Sequence, residues 1–238
     1  MRHIPNAITS LNLLCGCLAI TQIAGGNFIL AAILVLLGAF FDFFDGMAAR
    51  ILKVSSPIGA ELDSLADVVT FGIVPAYLVF SLLNEMDVPP YLAYAAFIIA
   101  IFSALRLAKF NVDDRQTESF IGLPTPANAL FWISLPLIDW QYTNDIGLIS
   151  LNQFHEVFFN PWVLLVLVVV FSYLLVAEIP LISLKFKSLS WNKNKNRYLL
   201  LLISFALILL FYFAAIPFIL LLYFIFSFIE NTSSTHEI

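Results

Sequence analysis

Charged residues are scarce in this chain. Lysine, arginine, aspartate and glutamate together make up 11% of the 238 residues, whereas hydrophobic residues make up 61%. A typical soluble domain carries about 25% charged residues, so this composition excludes an ordinary soluble protein. The mean hydropathy of +0.97 and the repeated apolar runs, long enough to cross a bilayer, indicate a multi-pass membrane protein.

Cysteine and histidine are also rare, which excludes several kinds of site. Cys15 and Cys17 lie two positions apart in the first apolar run, so on a helix their side chains point in different directions and no disulfide is expected. His3, His155 and His236 all fall in predicted loops or tails. We therefore expect no redox or zinc centre built on these side chains.

The apolar runs predict an all-α bundle of about eight transmembrane helices, forming a single domain over residues 1–238. The first six predicted spans are approximately 8–24, 28–52, 58–82, 91–110, 127–138 and 162–184. An apolar stretch at 198–229 is too long for one crossing, and Pro217 near its middle predicts a helical hairpin. We interpret the part after about residue 185 as an accessory C-terminal hairpin.

Basic residues are confined to one side of the predicted membrane. With eight crossings and the N-terminus inside, all 11 lysines and arginines lie in inner loops. The charged residues of the outer loops are all acidic: Glu85, Asp87, Asp139, Asp145 and Glu156. Because lysine and arginine are enriched in cytoplasmic loops, we predict an inner-membrane protein with both termini in the cytoplasm.

Four aspartates stand out in this apolar chain. Two sets of residues follow helical spacing in successive spans: Asp42, Asp45, Gly46 and Ala49, then Gly59, Asp63 and Asp67. A short polar break at 53–57 separates them, so two antiparallel helices would present four carboxylates to one point. A single acid near a span end is often only solvated or salt-bridged. Four converging carboxylates repel each other unless cations lie between them, which predicts a metal site facing the cytoplasm.

The side chains around these aspartates indicate phosphoryl transfer. Carboxylate oxygens without nearby histidine or cysteine favour Mg²⁺ or Mn²⁺, and two such ions about 4 Å apart can clamp a pyrophosphate. Arg50, one turn beyond Gly46, adds a cationic donor for phosphate. Asp67 lies deepest in its span and is the candidate base for the proton of an incoming hydroxyl.

The spacing of these residues resembles a known signature. The pattern Asp42-xx-Asp45-Gly46-xx-Ala49-Arg50, then eight residues, Gly59, Asp63 and Asp67, is similar to that of the CDP-alcohol phosphatidyltransferases without any departure in spacing. The resemblance implies that Asp42, Asp45 and Asp63 hold two metal ions, and it leaves open whether Asp67 is a ligand as well as the base. It also implies a set of contacts to CDP-diacylglycerol: Asn6, Thr9, Gly46, Ala49, Arg50 and Gly59.

Segments that flank the signature refine this resemblance. IPNAITSLNLLCG, GAELDSLADVVTFGIVPA, SALRLAKFN and GLPTPANA, all within residues 4–130, are similar to the membrane-embedded (type II) phosphatidylserine synthases. The resemblance implies that the phosphatidyl group of CDP-diacylglycerol is transferred to the hydroxyl of L-serine, giving phosphatidylserine and CMP. The expected partners are these substrates, membrane lipid and a second copy of the chain, and no nucleic acid is expected.

Three further residues are candidates for holding serine or phosphate. Arg106 and Lys109 are three apart on one helix face and suit the serine carboxylate or the diphosphate. The alternative is that they only anchor the helix at the cytoplasmic side. Glu61 either binds the serine ammonium or extends to the membrane interface.

Two other functions are considered. A related enzyme of the same family would transfer to glycerol phosphate, inositol phosphate or choline, and only the flanking segments favour serine. A cation transporter would place acids along a path through the bilayer and would contain inverted repeats. Neither feature is visible in this sequence.

Overall fold

The computed structural model describes residues 3–54, 56–113, 120–147, 152–182 and 191–235. It confirms the predicted all-α architecture. The helices, in chain order, are α1 (Ile4–Ala24), α2 (Phe28–Leu52), α3 (Pro57–Asp67), α4 (Val74–Asn84), α5 (Pro90–Ala93), α6 (Ile98–Val112), α7 (Thr125–Thr143), α8 (Asn152–Phe158), α9 (Pro161–Val176), α10 (Trp191–Phe211) and α11 (Ala215–Thr235).

Local capping explains where the first helices begin. Proline at the start of α1 suits the first turn, and α1 begins at Ile4, four residues before the predicted start. The side chain of Asn27 accepts a hydrogen bond from the Leu30 amide at 3.2 Å and caps α2. Ser56 caps α3 in the same way, through the Gly59 amide at 3.0 Å. The polar break predicted between the two aspartate-bearing helices is therefore confirmed.

The third membrane-spanning stretch changes its helical type directly after Asp67. Helix α3 continues into a π-helix, Val68–Ile73, which leads into α4 without a loop. Short π-helical segments are frequent at functional sites because they re-aim the side chains around them. Thr70 lies in this segment and is fully buried.

Five stretches of the described residues are long and apolar enough to cross a membrane: Ile4–Ala24, Phe28–Leu52, Pro57–Asn84, Pro90–Val112 and Asn194–Asn231. The shorter apolar helix α9 adds to them. This distribution confirms a multi-pass membrane protein. Helix α7 is longer than the predicted span 127–138, since it runs from Thr125 to Thr143.

The predicted sixth span, 162–184, is wrong at its C-terminal end. Helix α9 stops at Val176, and Pro180–Leu181 forms a short strand, β2, that pairs antiparallel with Phe120–Ile121, β1. Proline lacks an amide hydrogen and disfavours a helical residue before it, so the chain turns to an extended conformation here. Residues 183 and 184 lie outside the described part of the chain.

The last apolar stretch folds back on itself, as two helices joined by a short turn. Helix α10 ends at Phe211 and a 3₁₀ turn follows at Tyr212–Ala214, where Tyr212 has a φ of 51°. The turn lies just before Pro217, because proline is tolerated in the first turn of a helix and lies there in α11. Arg197 and Glu230, near opposite ends of the stretch in sequence, form an ion pair at 2.9 Å, so α10 and α11 are antiparallel.

Helix α1 packs closely against α2 and α3, and two glycines make this packing possible. A Cβ added at Gly16 would lie 2.5 Å from Thr70 Oγ1, and one added at Gly38 would lie 2.8 Å from Thr70 Cγ2. Thr70 therefore fills a space between α1 and α2 that exists only because positions 16 and 38 are glycine. A larger residue at either position would collide with it. This close approach brings the polar side chains of α1 to the aspartates.

Candidate active site

Three helices enclose a cavity of about 560 Å³. Seven of the residues predicted for the site line it: Asn6, Thr9, Asp45, Gly46, Ala49, Gly59 and Asp63. They come from α1, α2 and α3 in turn, so α1 forms a third wall beside the two helices that the spacing predicted. Lys53 and Ser56, in the break between α2 and α3, also line the cavity and were not predicted.

Three of the four aspartates converge. Asp42, Asp63 and Asp67 each offer a carboxylate oxygen, and these oxygens lie within 4.8 Å of one another. Asp63 Oδ1 is buried and has no hydrogen-bond partner. Among the described residues, none of these three aspartates pairs with a basic side chain. The pairs found there are His155 with Asp139 and Arg197 with Glu230.

This arrangement fits a divalent cation. Converging carboxylates with an unpartnered buried oxygen are unfavourable unless positive charge lies between them. The donor set consists of hard oxygens, which suit Mg²⁺ or Mn²⁺. The structure thus provides a site of the chemistry that the sequence predicted.

Asp45 lies outside the group of three. It is 5% exposed, and its Oδ2 accepts a hydrogen bond from Thr9 Oγ1 at 2.6 Å. It lines the cavity together with Asp63. The helical spacing placed Asp45 on the correct face of α2, but the side chain is turned towards α1.

Asn12 is a site residue that the sequence analysis missed. It is 0% exposed, and its Nδ2 donates to Asp67 Oδ1 at 3.2 Å. Its backbone carbonyl accepts a hydrogen bond from Thr70 Oγ1 at 3.1 Å. A signal was present in the sequence, because the polar residues Asn6, Thr9 and Asn12 recur every three residues in the first half of a largely apolar helix.

The two signature glycines have different surroundings. A Cβ at Gly46 would meet only Arg50 Nη2, at 3.9 Å, so this face of α2 is open to a ligand. A Cβ at Gly59 would lie 3.0 Å from Asn6 Oδ1, so glycine lets α1 approach α3 there. Arg50 is exposed and its Nε donates to the Gly46 carbonyl at 2.9 Å, which holds the guanidinium beside the open face.

Arg106 and Lys109 lie at a different cavity, of about 200 Å³, that α6 shares with the end of α9. Arg106 is 5% exposed, its Nε has no hydrogen-bond partner, and its guanidinium carbon lies 5.2 Å from the centre of the Phe110 ring. Neither residue lines the aspartate cavity. Glu61 is exposed and lines neither cavity.

Comparison with known proteins supports the assignment of this site. The model of the CDP-alcohol phosphatidyltransferase family matches residues 2–141, a segment that contains α1 to α6 and most of α7. Asn6, Thr9, Asn12 and the four aspartates all lie within the matched segment.

Curated relatives carry the name CDP-diacylglycerol–serine O-phosphatidyltransferase. The protein of Bacillus subtilis (strain 168) is 42% identical over 127 residues, which are 53% of this chain and 71% of the relative. That of Methanocaldococcus jannaschii is 38% identical over 144 residues, 60% of this chain and 65% of the relative. That of Helicobacter pylori (strain J99) is 34% identical over 140 residues, 58% of this chain and 59% of the relative.

The family-model match ends at residue 141, near the end of α7, so the C-terminal helices lie outside it. The family model nevertheless covers more than half of the chain. The chain belongs to the CDP-alcohol phosphatidyltransferase family.

Proposed function

We propose that this protein is a CDP-diacylglycerol–serine O-phosphatidyltransferase. The observation that carries the proposal is the convergence of Asp42, Asp63 and Asp67 beside a cavity that Asp45, Gly46, Ala49 and Gly59 of the signature also line. The names of the relatives support serine as the acceptor. Family membership disfavours the alternative of a cation transporter.

The reaction breaks a phosphoanhydride bond and forms a phosphoester bond. The serine hydroxyl oxygen attacks the lipid-linked phosphorus of CDP-diacylglycerol and loses its proton. The bond from that phosphorus to the CMP oxygen breaks, so the products are phosphatidylserine and CMP. Phosphoryl transfer of this kind requires mainly positioning and charge stabilisation from a protein.

The acidic residues are proposed to hold two divalent cations, Mg²⁺ or Mn²⁺. Asp42, Asp45 and Asp63 are the ligands, and Asp67 is close enough to join them. When bound, such ions neutralise the diphosphate and stabilise the entering and leaving oxygens.

The remaining residues bind substrate and move the proton. Gly46, Ala49 and Gly59 leave space for the CDP moiety along the cavity wall. The Arg50 guanidinium lies beside this wall and donates to phosphate. Asp67 accepts the serine proton, since it lies at the deep end of α3 and is 8% exposed.

Recognition of serine is assigned to the basic side chains of α6. A buried guanidinium with an unpartnered Nε, as in Arg106, is suited to a carboxylate. Asn111 Nδ2 donates to Ser64 Oγ at 2.9 Å, which ties the end of α6 to the helix that carries Asp63 and Asp67. The exposure of Glu61 favours its interpretation as an interfacial residue over contact with the serine ammonium.

An acceptor assay tests the proposed function directly. Purified protein with CDP-diacylglycerol and Mg²⁺ or Mn²⁺ should release CMP only when L-serine is added. Glycerol phosphate, inositol phosphate and choline should not replace serine, because none of them combines a hydroxyl with both a carboxylate and an ammonium. Release of CMP with one of these acceptors and not with serine would assign the protein to another branch of the family.

The active site is proposed to face the cytoplasm, with both termini on the same side of the inner membrane. Impermeant thiol reagents added to intact cells, in a variant lacking Cys15 and Cys17, should label cysteine at Asp87 or Asp145 but not at Lys195. All three positions are exposed, so burial does not explain a difference between them. Labelling at position 195 from outside would reverse the orientation. The proposed homodimer is tested separately, by the mass of the protein in detergent.

A further inference from the structure

Helix α1 contributes two hydrogen-bond donors to the carboxylates of the site. Thr9 contacts Asp45 on α2, and Asn12 contacts Asp67 on α3. Both donors are buried and lie three residues apart, on one face of α1. Neither contact involves a substrate, so their role differs from that of residues that only line the cavity.

The Thr9 hydroxyl has one proton and two acceptors in range. Oγ1 lies 3.0 Å from the Pro5 carbonyl and 2.6 Å from Asp45 Oδ2. A charged acceptor at the shorter distance makes the stronger hydrogen bond, so the proton is directed to Asp45. Thr9 is only 3% exposed, so its hydroxyl lies within the helix packing. The bond restricts rotation of the Asp45 carboxylate.

Asn12 is itself held firmly. Thr70 Oγ1 donates to the backbone carbonyl of Asn12, and Gly16 and Gly38 leave room for the Thr70 side chain between α1 and α2. The backbone of α1 at Asn12 is therefore held against the π-helix that follows Asp67. The Asn12 side chain donates from Nδ2 to Asp67 Oδ1, and this bond leaves Asp67 Oδ2 to accept the proton.

We propose that Thr9 and Asn12 are positioning residues: Thr9 orients Asp45 for metal binding, and Asn12 orients Asp67 for proton transfer. The inference rests on the proposed metal-dependent transfer but not on the identity of the acceptor. Hydrogen bonds to metal-binding carboxylates orient them, and loss of such a partner commonly reduces metal affinity or activity by about 10- to 100-fold.

Binding of Mn²⁺ to the protein without substrate, followed by electron paramagnetic resonance, tests the role of Thr9. Thr9→Val keeps the shape of the side chain and removes the donor, so affinity for Mn²⁺ should fall by about 10-fold or more. Thr21→Val is the matched control on α1, because the Thr21 hydroxyl is exposed and bonds only the Leu18 carbonyl. It should bind Mn²⁺ like the wild type.

A double variant shows whether Thr9 acts through Asp45. In an Asp45→Asn background, Thr9→Val should change Mn²⁺ affinity by less than about threefold, because coupled residues are not additive. A Thr9→Val protein that binds Mn²⁺ as the wild type does would overturn this role and leave Thr9 as a contact to the nucleotide lipid. An equal loss in both backgrounds would also overturn it. Because serine is absent, a wrong acceptor assignment does not affect the result.

Asn12→Leu tests the second contact by separating kcat from KM. The variant should lower kcat by about 10- to 100-fold while the KM for CDP-diacylglycerol changes by less than about threefold. Asn128→Leu is the matched control, since Asn128 is also fully buried and its Oδ1 accepts from Trp132 Nε1 at 3.1 Å instead of contacting an aspartate.

The thermal unfolding midpoints of Asn12→Leu and Asn128→Leu show how much stability is lost when a buried amide is removed. If Asn12→Leu does not fold, the smaller Asn12→Ser, whose hydroxyl is too short to reach Asp67, replaces it with the same expected loss. A kcat within about threefold of the wild type in the folded variant would overturn the role of Asn12.

Discussion

Asp63→Ala should give a folded protein with almost no transferase activity. Asp63 contributes one of three converging oxygens, so its removal should reduce CMP release by at least about 10²- to 10³-fold, the usual effect of losing one group that stabilises transition-state charge. Asp42→Ala and Asp45→Ala should behave in the same way. Chelation of divalent metal should abolish wild-type activity, and Mg²⁺ or Mn²⁺ should restore it.

The stability of these variants separates loss of metal from loss of structure. Removal of the Asp63 carboxylate relieves its repulsion with Asp42 and Asp67, and its buried Oδ1 has no hydrogen-bond partner to lose. The metal-free variant should therefore unfold at a temperature no lower than the metal-free wild type. Asp87→Ala, in an exposed loop, is the control for activity. A variant that no longer binds Mn²⁺ but turns over at a near-normal rate would contradict the two-metal assignment.

Asp67→Asn should bind CDP-diacylglycerol and yet turn over about 10²- to 10⁴-fold more slowly, the range typical for loss of a general base. The amide keeps the shape of the side chain, and its oxygen still accepts the hydrogen bond that Asn12 Nδ2 donates to Asp67 Oδ1 in the wild type. The position of the side chain is therefore retained while its ability to take a proton is lost.

A metal titration distinguishes this role from that of a ligand. If Asp67 only bound metal, saturating Mg²⁺ would restore turnover to within a few-fold of the wild type. We expect no such recovery, with binding of the nucleotide lipid measured in parallel to show that the site is intact. Recovery would reject Asp67 as the base and would require another acceptor for the serine proton.

The features that could be predicted from sequence are those with a local cause. A 3.6-residue period places Asp42 and Asp45 on one face of α2, and the same period places Asp63 and Asp67 on one face of α3. The polar break between the helices follows from capping by Ser56. Length and hydropathy were sufficient to predict that most helices span the membrane, because a bilayer requires long apolar segments.

The sequence did not define the C-terminal helix ends: it extended the sixth span to residue 184, and it left the turn within residues 198–229 unplaced. Pro217 suits the first turn of α11, and the chain turns at Tyr212–Ala214, where Gln141 of α7 bonds the Phe211 carbonyl and the Phe213 amide. Those two bonds join residues about seventy positions apart. The position of this turn therefore depends on Gln141, a residue distant in sequence that no local pattern identifies.

The sequence alone determined the helical faces, the family signature and the acidic chemistry of the site, because each depends on spacing within one helix or on residue type. Only the tertiary structure decided which groups meet: that Asp45 turns to Thr9, that Asn12 holds Asp67, and that Arg106 lies at a separate cavity. These contacts join helices remote in sequence. They follow from how closely α1 packs against α2 and α3, which the small residues Gly16, Gly38 and Gly59 permit.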